Sequence, residues 1–193
     1  MSERRKSEII VDLCCLLSGG EVGAATALAR AEYPFAPRPT AKRKTSNKKA
    51  LEIFLRDGFV DRYAGTRLVF TPALRLLSTL LPAEIPYHLN WKMSETHMAF
   101  WELAPTIDHL LPVARGGEDQ ASNMFTTSML RNQAKASWTL EELQWQLHPP
   151  GDMEDWDGLT RWFVDYARDH EEVCEQKYFR EWVRLTAAAL EAL

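Results

Sequence analysis

The sequence predicts an α+β chain that is mostly helical, and three observations predict it. Apolar residues recur at helical spacing near both ends of the chain. One central stretch, 106–136, reads as strand, glycine turn, strand and helix. The composition, 46% hydrophobic and 26% charged over 193 residues, is that of an ordinary globular domain. That length suits one core, with room for a small appendage.

Taken in order, Ser7 to about Leu17 carries Ile9, Ile10, Leu13, Leu16 and Leu17 at helical spacing, and Gly19-Gly20 stops it. The basic Arg4-Arg5-Lys6 before this run faintly resembles a leader, but the apolar part is short and lacks a cleavage site, so a helix start is expected. Val22 to Ala31 is an Ala-rich second helix, and Pro34, Pro37 and Pro39 then extend a connector. Asn47 caps a helix from Lys48 to about Leu55, which Asp57-Gly58 breaks. Arg67 to Phe70 reads as a short strand, and Thr71-Pro72 opens a helix through Leu81. Thr106 to His109 is a strand, Gly116-Gly117 its turn, Asn123 to Thr127 its return, and Ser128 to about Ala136 a helix. Thr139 and Glu142 have capping-box spacing. The tail holds two amphipathic helices, Trp156 to His170 and Glu172 to Ala192. Three regions are expected: 1–50, helical with a basic connector; 51–150, carrying the strands; and 151–193, helical and acidic.

Charge is unevenly spread. The formal net charge is −4, yet residues 1–75 sum to +6 and the remainder to −10. The excess gathers at Arg38, Lys42, Arg43, Lys44, Lys48 and Lys49, either a footprint for phosphates or a solvated linker. No apolar run approaches the roughly 18 residues a membrane span needs, so no membrane partner is expected. Cys14, Cys15 and Cys174 form no CxxC pair, which fits a reducing cytoplasm and no disulfide framework.

The chemistry-bearing residues lie between Asp108 and Lys135. Asn123 follows His109 by 14 residues, Asn132 follows Asn123 by 9, and Lys135 comes 3 later. A hairpin folding back on a helix brings Asp108 and Asn132 together. A carboxylate and an amide oxygen are hard ligands suited to Mg²⁺. An unperturbed imidazole titrates near ~6.5, which suits a general base. Each residue also has a plainer reading: Asp108 and Asn123 as turn formers, His109 as a packed histidine, Asn132 as a solvated helix residue. His97 and the tryptophans Trp91, Trp101, Trp138 and Trp145 are nearby candidates for phosphate or base contact, with packing as the plainer use.

The run Thr106-Ile107-Asp108-His109-Leu110-Leu111-Pro112-Val113-Ala114-Arg115-Gly116-Gly117, with Asn123, Asn132 and Lys135 at their spacings, resembles the HNH endonuclease family. The match is close over about 30 residues and loose over perhaps 80. It implies a ββα-metal hairpin-helix core flanked by N- and C-terminal helices, and hydrolysis of DNA, double-stranded by expectation, to 5′-phosphate and 3′-hydroxyl ends. It also implies that Asp108 and Asn132 bind one Mg²⁺, Mn²⁺ or other divalent cation, that His109 activates water, and that Asn123 holds the loop and orients the His109 ring. Lys135, Arg115 and Arg131 would contact phosphates, joined by Lys42, Arg43, Lys44, Lys48 and Lys49 of the basic connector. The zinc-knuckle cysteines of many members are replaced by Asp61, Ala64, Ser128 and Arg131, so no structural zinc is expected, and apolar packing around Phe59, Tyr63, Leu68 and Phe70 is expected to supply that stability. Alternatives are an inactive HNH-like DNA-binding or regulatory module and an interaction subunit built on the acidic helices. A homodimer through those helices would give double-strand cleavage its second site.

Overall fold

A computed structural model describes residues 4–35 and 45–193, so Arg38, Lys42, Arg43 and Lys44 of the basic connector lie outside the described residues. The chain is α+β and mostly helical. It divides into two compact units, the first ending at Thr40 and the second running from Ala41 to Leu193.

In the first unit α1 (Lys6–Ser18) and α2 (Val22–Glu32) pack on each other. Gly20, at φ 77°, makes the turn that an L side chain would strain. Ile9 and Ala25 are buried, and Arg4 pairs with both Asp12 and Glu32.

The second unit opens with α3 (Asn47–Arg56), whose cap is Ser46 rather than Asn47: the Ser46 hydroxyl accepts from the Lys49 N–H at 3.2 Å. Next come α4 (Thr71–Leu80), with Pro72 in its first turn, and a short α5 (Ala99–Glu102) that the sequence does not announce. The strand expected at Arg67–Phe70 is not formed. Leu68 donates to Phe59 O, Val69 to Leu103 O and Phe70 to Gly158 O, so three segments share its N–H groups and no ladder develops.

The only sheet among the described residues is an antiparallel pair, β1 (Pro105–His109) and β2 (Met124–Ser128), with Ile107 opposite Thr126. Directly after β2 comes α6 (Met129–Lys135), capped by Ser128, followed by α7 (Leu140–Leu143) with the expected Thr139–Glu142 capping box. The first tail helix, α8 (Thr160–Asp169), begins four residues later than Trp156 because Gly158 and Leu159 both take positive φ. A 3₁₀ segment, Glu171–Glu175, separates it from α9 (Lys177–Leu190).

The main apolar core joins α3, α4, α8 and α9, and a smaller cluster of Leu74, Phe100 and Ala104 ties α4 to α5. Leu51 and Phe54 of α3 meet Phe59, Phe70, Phe163 of α8 and Phe179 of α9. The Phe70 ring is central, edge-on to Phe59, Phe163 and Trp182 at 5.9, 5.6 and 5.4 Å. Segments 51–150 and 151–193 therefore share a core, and the acidic helices turn their apolar faces onto it. Ile107 of β1 packs against the same core, which anchors the hairpin.

Candidate active site

The hairpin is fixed from outside by one buried acid. Asp57, fully buried, accepts from Arg56 Nε at 2.9 Å, Arg62 Nη1 at 2.7 Å and the Thr126 N–H of β2 at 2.8 Å. Arg56 also donates to the carbonyls of Ala121 and Met124, and Arg62 to His148 O. Both guanidinium groups lie over the Phe125 ring, at 5.3 and 5.2 Å. With the carboxylate doubly paired and hydrogen-bonded to backbone, the edge of β2 is held rigidly against the end of α3.

Alternation along β1 sends Thr106 and Asp108 toward α6, where two residues one turn apart receive the strand. Asn132 Nδ2 donates to Ile107 O at 3.2 Å and lies 3.4 Å from Thr106 Oγ1. Lys135 Nζ donates to His109 O at 2.8 Å and pairs with Asp108 Oδ2 at 2.7 Å. Asn132 and Lys135 thus bond to four successive residues of β1, Thr106 to His109, across 24 residues of chain between Asp108 and Asn132.

Lys135 corrects an expectation. Its side chain has 0% exposure and cannot reach a phosphate; it holds Asp108 and the end of β1 instead. The second hold on Asp108 is a residue the sequence did not single out for it: the Tyr63 hydroxyl donates to Oδ2 at 2.8 Å. Burial, with the neighbouring Asp108 carboxylate, pushes the Tyr63 phenol well above its ordinary value, so it remains a neutral donor.

The donor set is compatible with a hard divalent cation. Both polar contacts of Asp108 fall on Oδ2, and its Oδ1 has none among the described residues. Asn132 turns its nitrogen to two acceptors on β1, which points its oxygen the other way. A carboxylate oxygen and an amide oxygen, completed by water, form a set that Mg²⁺ accepts. No cluster of three or more His, Cys, Asp or Glu side chains that could hold an ion occurs among the described residues.

Asn123 does half of what was expected. Its side chain clamps the loop neck, accepting from Leu111 N–H at 2.9 Å and donating to the carbonyls of Leu111 and Glu118 at 3.0 and 2.9 Å. It makes no hydrogen bond to the His109 ring. His109 is 5% exposed, and its Nε2 lies 2.8 Å from Oδ1 of Asp119, a residue outside the motif. The available signal was modest: an acid two residues beyond Gly116-Gly117.

The four positions that the resemblance assigns to zinc-knuckle cysteines do converge, and the polar pair Asp61 and Ser128 anchors them. Asp61 accepts from Tyr63 N–H and Thr127 Oγ1 at 2.9 Å and from Ser128 N–H at 3.0 Å, with Arg131 Nε at 3.8 Å. The Ala64 and Gly65 N–H groups close the turn on Asp61 O. A carboxylate network therefore joins the apolar packing of Phe59, Leu68 and Phe70 at this corner.

The other basic candidates are partly spent. Arg115 pairs with Glu142 at 2.7 Å and lies over Trp138, while Arg131 lies over Trp145. The Thr139 backbone N–H, then Arg115, holds the Glu142 carboxyl below its ordinary range. Lys48 is exposed beside Glu52, and Lys49 is half-buried. His97 accepts from Ala99 N–H at the start of α5, and Trp91 packs edge-on to Phe100 and Trp101. No protein-family model, curated protein or solved structure matches this chain.

Proposed function

We propose that the chain is a divalent-metal-dependent endonuclease of the HNH type that hydrolyses phosphodiester bonds of double-stranded DNA. The observation that carries this reading is the convergence of Asn132 and Lys135 on Ile107, Asp108 and His109. It brings a carboxylate, an amide oxygen and an imidazole to one end of a hairpin clamped from behind.

Asp108 and Asn132 are the residues that would hold Mg²⁺ or Mn²⁺, which when bound offsets charge building on the phosphoryl and leaving oxygens. His109 takes a proton from the attacking water as its oxygen forms the new bond to phosphorus. The bond from phosphorus to the 3′ oxygen breaks, and that oxygen leaves as a hydroxyl once protonated, giving a 5′-phosphate on the other fragment. Tyr63 and Lys135 keep Asp108 in place, and Asn123 keeps the loop closed. Lys48, Lys49 and the connector lysines and arginine, Lys42, Arg43 and Lys44, are the groups left to contact phosphates.

The test is nicking of supercoiled plasmid with Mg²⁺ and its loss with EDTA. His109→Ala is expected to abolish nicking while leaving the fold and DNA retention intact; undiminished cleavage by that variant would remove the reading. A second reading, an inactive HNH-like DNA-binding module, is favoured by the burial of His109 and the engagement of its Nε2 by Asp119. It predicts salt-dependent DNA retention with no nicking at any divalent metal.

A further inference from the structure

We infer that Asp119 is the positioning residue of the proposed general base, holding the His109 ring at Nε2 and leaving Nδ1 as the proton-accepting nitrogen. The inference rests on the nuclease reading and adds to it a residue outside the set carried by the resemblance.

Three observations support it. Asp119 Oδ1 lies 2.8 Å from His109 Nε2, and the ring is nearly enclosed while the Asp119 side chain is 61% exposed. The contact therefore runs outward from a buried ring to a surface loop. The peptide that follows the ring is fixed at both of its polar groups: Lys135 holds His109 O, and Leu110 N–H donates to Asn123 O at 2.9 Å. The loop that carries Asp119 is fixed as well, because Asn123 ties together Leu111 and Glu118, the residue immediately before Asp119. A carboxylate accepts only, so Nε2 must carry the hydrogen that it receives. The neutral ring then has one lone pair, on Nδ1, and its orientation is set by a partner on a clamped frame. No other side chain meets the ring nitrogens among the described residues.

Partners that orient a reacting group in this way typically cost 10–100-fold when removed. Asp119→Ala is expected to lower kcat by about 10–100-fold on plasmid DNA with KM unchanged. Asp119→Asn, whose amide can turn either face to the ring, is expected to fall between the two, and Asp119→Glu to recover part of the loss. The readout that a merely structural role would not move is the ¹⁵N spectrum of His109 in the metal-free full chain. The wild type should show a single Nε2–H tautomer, and Asp119→Ala a mixture. A kcat that is unchanged or raised in Asp119→Ala overturns the inference, a raised one meaning that Asp119 latches the ring away from substrate. A wild-type spectrum without the Nε2–H tautomer overturns it independently of activity. If His109→Ala cleaves as well as wild type, the nuclease reading itself has failed, a result distinguishable from either of these.

Discussion

Lys135 Nζ stands 2.7 Å from Asp108 Oδ2 with none of its side chain exposed. The pair is completed by the Tyr63 hydroxyl on the same oxygen and by His109 O on the same ammonium. An internal pair of this kind behaves differently from a surface lysine on DNA. Lys135→Met keeps the volume but leaves the buried Asp108 carboxylate uncompensated, which typically costs about 3–5 kcal/mol. Denaturant unfolding should show that loss. The salt dependence of DNA binding, measured on whatever fraction remains folded, should keep its slope, whereas removing a lysine that contacts a phosphate reduces the slope by about one. Asp108→Asn combined with Lys135→Met should recover part of the stability, because the unpaired charge is gone.

The hairpin and its following helix were legible because each has a local signature. Gly116-Gly117 marks the loop, the flanking runs have strand composition, and Ser128 caps α6. The proximity of Asp108 and Asn132 also follows from a hairpin closing on a helix. What the sequence could not reveal is where side chains that default to solvent become buried. Lys135 is enclosed only because Tyr63, from a distant segment, and Asp108 with His109 O, from β1, converge on it. Asp57 reads as a turn residue in Asp57-Gly58, yet it ties α3 to β2 through Thr126, 69 residues away. Asp61 reads as a lost zinc position, and only the folded chain shows its carboxylate satisfied by Thr127 and Ser128. The failed strand at Arg67–Phe70 has the same origin: its residues suit a strand, but tertiary partners claimed its backbone one by one.

The two glycines of the loop are not equivalent, and substitution separates them. A Cβ on Gly117 would sit 1.8 Å from Leu111 O and 2.9 Å from Asn123 Nδ2. That carbonyl is one of the groups Asn123 clamps, so Gly117→Ala must open the neck that positions Asp119 and His109. Gly116 has φ +90° and open space around it, so alanine there meets only the backbone cost of left-handed geometry, about 1–2 kcal/mol. Gly117→Ala is expected to slow plasmid nicking at least tenfold with the thermal unfolding of the core little changed. Gly116→Ala should stay closer to wild type in both assays. Equal behaviour of the two variants would mean that the neck does not support the site.

Alkaline pH offers a test of the buried phenols that does not depend on catalysis. Burial raises Tyr63 far above its ordinary value, with Asp108 adding to the shift, and burial raises Tyr178 to about 12, with Arg75 acting in the opposite direction. The folded state therefore holds both phenolic protons more tightly than the unfolded chain, whose tyrosines ionise near ~10. Below that pH both states are protonated and the tyrosines add no pH dependence. Above it the unfolded chain sheds protons that the folded chain keeps, so stability falls, by about 1.4 kcal/mol per pH unit for each such group. The decline due to Tyr178 ends near its folded value of about 12, and that due to Tyr63 continues beyond. Unfolding free energies measured in denaturant from roughly pH 8 to 11 should be flat and then drop. Tyr63→Phe should lower stability at neutral pH by about 1.5–3 kcal/mol, since the hydrogen bond to the Asp108 carboxylate is lost, and should flatten the alkaline decline. Tyr178→Phe should flatten it with a smaller loss at neutral pH, because Tyr178 donates to no carboxylate among the described residues. An alkaline slope that Tyr63→Phe leaves unchanged would mean that the Tyr63 hydroxyl is not held against Asp108, and the support for the proposed metal ligand would go with it.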